Sequence, residues 1–299
     1  MKLLITGAYK CAEEQLNYIK SLGHNVTLMQ NEVDALPCDA SEIEGVICNG
    51  LFLHHSAKDF TNLRFVQLTS AGLDRVPLDY FNERGIKVYN ARGVYSIPMA
   101  EFSLMGVLAL YKNLKFFIEN QQCKQWVKHR GNLELYGKTV LVVGAGNVGT
   151  ECAKRFKAFG CKVLGVDVFV REDENFEKIY HLSSLNELLS VSDVVILTLP
   201  LTNETRNLFN EKRFACMKQG SVLVNVARGG VVDESALLNA LDCKLLGAVL
   251  DVFEKEPLDK ENPLYEKQNV IITPHNSFVG DGNFDRLTNV IINNLKGIV

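Results

Sequence analysis

The chain alternates, almost from end to end, between short apolar runs and segments with helical spacing. Parallel strands covered on both faces by crossover helices read in this way, because each strand is buried on both sides. Two sets of runs can be separated. KLLITG, NVTLMQ, GVICNG, RFVQLTS and KVYNA end by Ala91; KTVLVVG, KVLGVDV, DVVILTL, SVLVNVA, LLGAVLDV and NVIITP run from Lys138 to Pro274 and predict six strands. The fold class is therefore α/β, with two doubly wound parallel-sheet domains. The length of 299 residues agrees, since single cores stop growing near about 250–300 residues.

Between the sets lies YSIPMAEFSLMGVLALYKNL, a helix with Ser96 as a cap and Pro98 in its first turn, where the missing N–H costs nothing. It is apolar on more than one face, so it either bridges the domains or is buried against a second copy of the chain. After Pro274, GDGNFDRLTNVIINNLKGIV reads as a further helix.

Charge and cysteine usage narrow the partners. A net charge of -3, without a Lys/Arg-rich run, offers nucleic acid no basic face. No run approaches the roughly 18 apolar residues of a membrane span, and MKLLITGAYK lacks the long apolar stretch and cleavage site of a secretory leader. Eight cysteines stand without CxxC or Cys/His spacing, which predicts a cytoplasmic protein without a metal site or a disulfide framework. A small-molecule ligand is expected.

One place meets the requirements of a phosphate cradle. In KTVLVVGAGNVGTECAKRFKAFG, a strand runs into Gly144-x-Gly146-x-x-Gly149 and then a helix. The first glycine permits the tight turn, the second admits a pyrophosphate against the backbone, and the third lets helix pack on strand. Free N–H groups at the helix start favour the anion. Asp167 ends the next strand, eighteen residues beyond Gly149, where a carboxylate accepts from ribose hydroxyls and repels a 2′-phosphate; NAD is expected over NADP.

Three strand ends carry the remaining chemistry. NVARGGVVDESALLNAL puts Arg228 after an apolar strand, LLGAVLDVFEKEPL puts Asp251 at a strand end with Glu254 and Glu256 beyond it, and IITPH ends on His275. Each alone has a structural explanation, and a lone strand-end histidine is more often structural than catalytic. Parallel strands present ligands at their carboxyl ends, so arginine, carboxylate and histidine converging there make an apparatus for hydride transfer.

The run LPLTNETRNLFNEKRFACMKQGSVLVNVARGGVVDESALLNAL, followed by LDVFEKEPL and TPH, resembles the D-2-hydroxyacid dehydrogenase family. LTSAGLDRVPLDYFNERGIKVYNARGVYSIPMAEFSL and GAGNVG extend the likeness over most of the chain beyond residue 60. The resemblance implies an NAD-dependent oxidoreductase interconverting 2-oxo and D-2-hydroxy acids. It makes His275 the acid/base, Glu256 its partner and Arg228 the carboxylate-binding arginine. It places dinucleotide contacts on Asn147, Val148, Asp167, Thr205, Val226, Ala227, Arg228 and Asp251, the last beside the nicotinamide amide. In the other domain, Ser70, Ala71 and Gly72 match a turn whose N–H groups receive the substrate carboxylate, which an anion nest can do on its own physics. The implied substrate domain is flavodoxin-like and spans 1–97 with 275–299, around a Rossmann domain of 98–274. The bridging helix then forms a homodimer interface.

Two stretches depart from the family's pattern. After its histidine the family has a Gly-rich turn, whereas this chain has Asn276, Ser277 and Phe278. NGLFLHHSAKDF has no arginine for a phosphate, which argues against phosphoglycerate, as does the absence of a long regulatory tail. Leu51 and Phe52 in that loop suit an apolar substrate side chain, and His54 and His55 are expected in solvent. The alternatives are a hydroxypyruvate or phosphoglycerate enzyme and a dinucleotide-sensing corepressor that keeps the triad. A formate dehydrogenase would pair its histidine with glutamine, and a methyltransferase would leave Arg228, Glu256 and His275 unexplained.

Overall fold

The computed structural model describes residues 1–298, and the chain divides into two compact units, Met1–Tyr95 with Gly280 onward, and Ser96–Val279. The sequence boundaries, after residue 97 and before residue 275, fall two and five residues from these divisions, so the Asn276–Phe278 turn belongs to the second unit.

The first unit is built on β1 (Lys2–Thr6), α1 (Glu13–Ser21), β2 (Asn25–Met29), β3 (Gly45–Cys48), β4 (Phe65–Leu68), α2 (Leu78–Glu83) and β5 (Lys87–Tyr89). All five strands pair in parallel, in the order β2-β1-β3-β4-β5, the flavodoxin-like order, with its reversal between β1 and β3. β3 and β4 are buried at every position, as expected of strands covered on both faces.

The second unit opens with α3 (Ser96–Tyr111) and α4 (Leu114–Gln122), then β6 (Thr139–Val143), α5 (Asn147–Ala158), β7 (Lys162–Asp167), β8 (Lys178–His181), α6 (Leu185–Val191), β9 (Val194–Leu197), α7 (Glu211–Cys216), β10 (Val222–Asn225), α8 (Glu234–Cys243), β11 (Gly247–Leu250) and β12 (Val270–Ile272). The seven strands are parallel, in the order β12-β11-β10-β9-β6-β7-β8. Read from β8, this is the doubly wound dinucleotide order with one strand added. The sheet has seven strands rather than the six expected from apolar runs. β8 was missed because KIYH is an edge strand that buries only Ile179 fully. Ser96 is itself the first helical residue of α3 rather than a residue ahead of it. Gly106 lets α3 settle on β11, since a Cβ there would lie 2.5 Å from Val249 Cγ1.

The chain's last helix, α9 (Asn283–Lys296), completes the first unit. Its Leu287, Ile291 and Leu295 join Leu3, Ile5, Ile47 and Phe65 in one core. Hydrogen bonds that tie it down include Tyr9 Oη with Thr288 Oγ1 at 2.9 Å, Asn294 Nδ2 to the buried Gln67 Oε1 at 2.7 Å, and Arg286 Nε to Val94 O at 2.7 Å.

Candidate active site

The glycine turn forms because only glycine fits it. Gly144 has φ +99°, and a Cβ there would stand 2.7 Å from Leu199 N; one on Gly149 would stand 2.2 Å from Gly144 O. At Gly146 a Cβ would meet nothing within 4 Å. That open space lies at the start of α5, whose N-cap is Gly146 and which has no side-chain cap. An exposed set of helix N–H groups with room before it is what a pyrophosphate requires. The residues therefore fit a dinucleotide, with Asn147 exposed at the helix start, Val148 packed against the core and Gly149 buried.

Asp167 closes β7, and its carboxylate accepts from Ala145 N at 2.8 Å and Phe169 N at 3.1 Å, bracing the turn from the side. Two further residues hold the turn and were not singled out in the sequence. Thr198 Oγ1 donates to Gly144 O at 2.6 Å, and Arg171 donates to Ala145 O. Both follow β-strand ends, a position any strand-end polar residue shares, so the sequence gives no separate signal for them. Thr205 bridges its own loop, donating to Pro200 O and accepting from Thr202 N, both at 2.7 Å.

The Arg228, Glu256 and His275 segments leave the neighbouring strands β10, β11 and β12. Val226 and Ala227 are buried. The turn at Arg228 is set by Asn225, also buried, which accepts from Ala227 N and donates to Arg228 O, both at 3.1 Å. Gly229 is needed for close approach rather than for its dihedral angles: a Cβ would lie 1.8 Å from the Phe253 carbonyl carbon. The arginine turn is thereby pressed against the chain that leads to Glu256. The Arg228 guanidinium donates to Ala227 O at 2.8 Å.

Glu256 divides its carboxylate between scaffold and ring. Oε1 accepts from Phe253 N at 3.0 Å, and Oε2 lies 2.8 Å from His275 Nδ1. The histidine side chain is 43% exposed, so its second nitrogen faces outward while the first is held. Its backbone is left-handed, φ +51°, an unfavourable region for a non-glycine residue. Asp251 enforces it. Fully buried, its carboxylate accepts from Thr273 Oγ1 at 2.6 Å, Asn276 N at 2.7 Å and Ser277 N at 2.9 Å, while its carbonyl accepts from His275 N at 2.8 Å. The NSF departure is thus a tied turn: Asn276 and Ser277 supply N–H donors, Ser277 is buried, and the Phe278 ring meets the imidazole edge-on at 6.1 Å.

The first unit carries its own candidate, described by itself. At Ser70–Gly72 the carbonyls are drawn backward: Ser70 O accepts from Ala91 N, Ala71 O from Asn90 Nδ2 and Gly72 O from Ser70 Oγ. Among the described residues the Ala71 and Gly72 N–H groups make no hydrogen bond. In the turn after β3, Leu51 is fully buried and so cannot meet a substrate as expected. Phe52 is half-buried, packing edge-on to Phe60 and Phe81 while still lining a hollow beside Leu53, which is 61% exposed. A helical turn over Leu51–Leu53, which a short apolar run does not announce, rotates the side chains. His54 is exposed, but His55 is held by Nε2 at 3.0 Å from Glu32 O.

Among the described residues no group of three or more His, Cys, Asp or Glu could hold a metal ion, and no helix is long and apolar enough to cross a membrane.

Residues 104–277 match the model for the D-isomer specific 2-hydroxyacid dehydrogenase, NAD binding domain. A glyoxylate reductase from Thermofilum pendens is 34% identical over 270 residues, 88% of this chain and 74% of that protein. A D-3-phosphoglycerate dehydrogenase from Methanocaldococcus jannaschii is 38% identical over 216 residues, 71% of this chain; the match spans only 41% of that relative's length. The crystal structure of D-lactate dehydrogenase from Aquifex aeolicus, complexed with NAD and lactic acid, superposes with a TM-score of 0.79 at 28% identity, covering 99% of this chain and 95% of that one. The chain belongs to the D-isomer specific 2-hydroxyacid dehydrogenase family and carries its NAD-binding domain.

Proposed function

We propose that the protein is an NAD-dependent dehydrogenase of small D-2-hydroxy acids, working on a 2-oxo acid in the reductive direction. The observation that carries this reading is the His275–Glu256 pair, beyond the carboxyl ends of strands in the same parallel sheet that carries the glycine turn, in a family whose named relatives reduce or oxidise such acids. Bound NADH would supply the hydride to C2 of the 2-oxo acid. His275, gripped through Nδ1, gives a proton from Nε2 to the carbonyl oxygen. Glu256 fixes the ring and neutralises its charge when protonated. Arg228 holds the substrate carboxylate and stabilises the developing alkoxide. In the first unit, taken by itself, the Ser70–Gly72 nest is a carboxylate-binding turn. Gly144, Gly146, Asn147, Val148, Gly149, Asp167, Thr205, Val226, Ala227 and Asp251 line the dinucleotide path.

The site draws on the cofactor and a small acid only. The proposed assembly is a homodimer in the cytoplasm, formed through α3, α4 and the segment after them, where Met105, Leu114, Phe117, Ile118 and Trp126 are exposed.

A panel of 2-oxo acids, read by NADH oxidation, tests the activity against a dinucleotide sensor. Turnover of at least one acid is expected, and none at all would leave the sensor. Reduction consumes a proton, so its rate should fall with rising pH while oxidation of the matching hydroxy acid rises. His275→Ala should bind NADH as the parent does and lose about 10²–10⁴-fold in kcat; parental turnover would remove His275 from the chemistry.

A further inference from the structure

Glu32 lies outside every motif above, yet its side chain is among the most heavily engaged in the first unit. Its Oε1 accepts from Thr6 Oγ1 at 2.6 Å and Asn49 N at 2.7 Å, and its Oε2 accepts from Gly50 N at 2.6 Å. Its own carbonyl takes the His55 ring at 3.0 Å. Thr6 is the last residue of β1, and Asn49 follows β3 directly. The carboxylate therefore sits in the crevice between β1 and β3, where the strand order reverses and where sheets of this kind offer backbone N–H groups to an anion. Here the anion is a side chain of the same chain.

The geometry points to Glu32 as a positioning residue that sets which substrate side chains the protein accepts, an inference that rests on the dehydrogenase reading. Glu32 fixes both ends of the Asn49–His55 turn, and Leu51 pins its middle in the core. Phe52, braced by Phe60 and Phe81, and the exposed Leu53 are left lining a hollow of about 370 Å³, shared with Val76 and Tyr80. β3 and β4 are neighbours, joined beyond their ends by Thr69 N to Cys48 O at 2.8 Å. The turn and the Ser70–Gly72 nest thus leave adjacent strands at the same edge. A 2-oxo acid whose carboxylate rests on the nest brings the group on C2 toward the neighbouring turn.

Glu32→Gln is the informative change. A carboxylate accepts at both oxygens, whereas an amide must turn an N–H toward either Gly50 N–H or the Thr6 and Asn49 donors. The readout is the ratio of kcat/KM for a branched 2-oxo acid to that for pyruvate, with NADH affinity measured alongside. A displaced turn should change this ratio by about tenfold, chiefly through KM, while NADH affinity stays at the parent value. A merely structural role would lower both substrates together by reducing the folded fraction. If Glu32→Gln does not fold, Thr6→Val removes one donor from the same carboxylate and should move the ratio in the same direction. A parent that reduces 2-oxo acids and variants with an unmoved ratio would overturn this role alone. A parent that reduces none overturns the dehydrogenase reading, and this one with it.

Discussion

Asp251 directly follows β11 and is fully buried, and the three donors to its carboxylate all come from the five residues that carry His275. A buried carboxylate is tolerable only when its lone pairs are filled, so the charge and the turn explain each other. Asp251→Asn replaces one acceptor oxygen by an NH2 facing a backbone N–H. The imidazole should lose its fixed position, and kcat at saturating NADH should fall by about 10²-fold, the scale of a misplacement near 1 Å. Were the residue needed only to hold the cofactor, saturating NADH would restore kcat; that result would dismiss the tether. Residues of this kind explain what the sequence could and could not show. Arg228, Glu256 and His275 follow apolar runs and stand out by residue type. Glu32 and Asn225 do not, because their roles depend on backbone N–H groups that no side-chain pattern encodes.

Among the elements, the lower edge of the larger sheet has its own electrostatic knot. Asp193, before β9, accepts from Lys218 Nζ at 2.7 Å and from Thr139 N at 2.9 Å. Burial pushes its carboxyl up, but these hydrogen bonds, with the Lys218 and Lys138 charges, outweigh that and hold it below the usual carboxylate range. A carboxyl depressed in the folded state adds stability above its unfolded pKa and loses it as pH falls through the folded one. Asp193→Asn should therefore cost about 1 kcal/mol near neutrality. The gap to the parent should close in acid, below about pH 4; thermal melts at the two pH values check this, and a gap independent of pH would contradict it. Strands were the most legible elements, because burial on both faces writes a strand as an apolar run. β8 escaped for the converse reason, being half-covered at an edge, and the Leu51–Leu53 turn escaped because three apolar residues fit strand and helix alike.

For the molecule as a whole, exposed apolar residues recur closely in sequence between Met105 and Tyr136 of the second unit. Trp126, the only tryptophan of the chain, is 96% exposed in the single chain, with Tyr136 at 77% nearby in sequence. Apolar surface of this kind marks an interaction site, and a closed two-fold dimer covers the same patch on both copies. Sedimentation at micromolar concentration should give twice the mass of 33.4 kDa, and the Trp126 emission should move to longer wavelength on dilution as the dimer dissociates. A monomer mass with concentration-independent emission would rule the dimer out.

The last helix has a consequence for how the protein is made. The first 95 residues leave the ribosome long before α9, yet Leu3, Ile5, Ile47 and Phe65 depend on Leu287, Ile291 and Leu295 for their cover. Domains usually fold in order of synthesis, but here a unit begun before Ser96 is completed only after Val279. While the 184 residues from Ser96 to Val279 are still being translated and folded, the part of one sheet face that Leu287, Ile291 and Leu295 cover stays open. The nascent chain thus presents a greasy surface for seconds, and a holdase or the ribosome's own flank is the natural cover for it until α9 emerges.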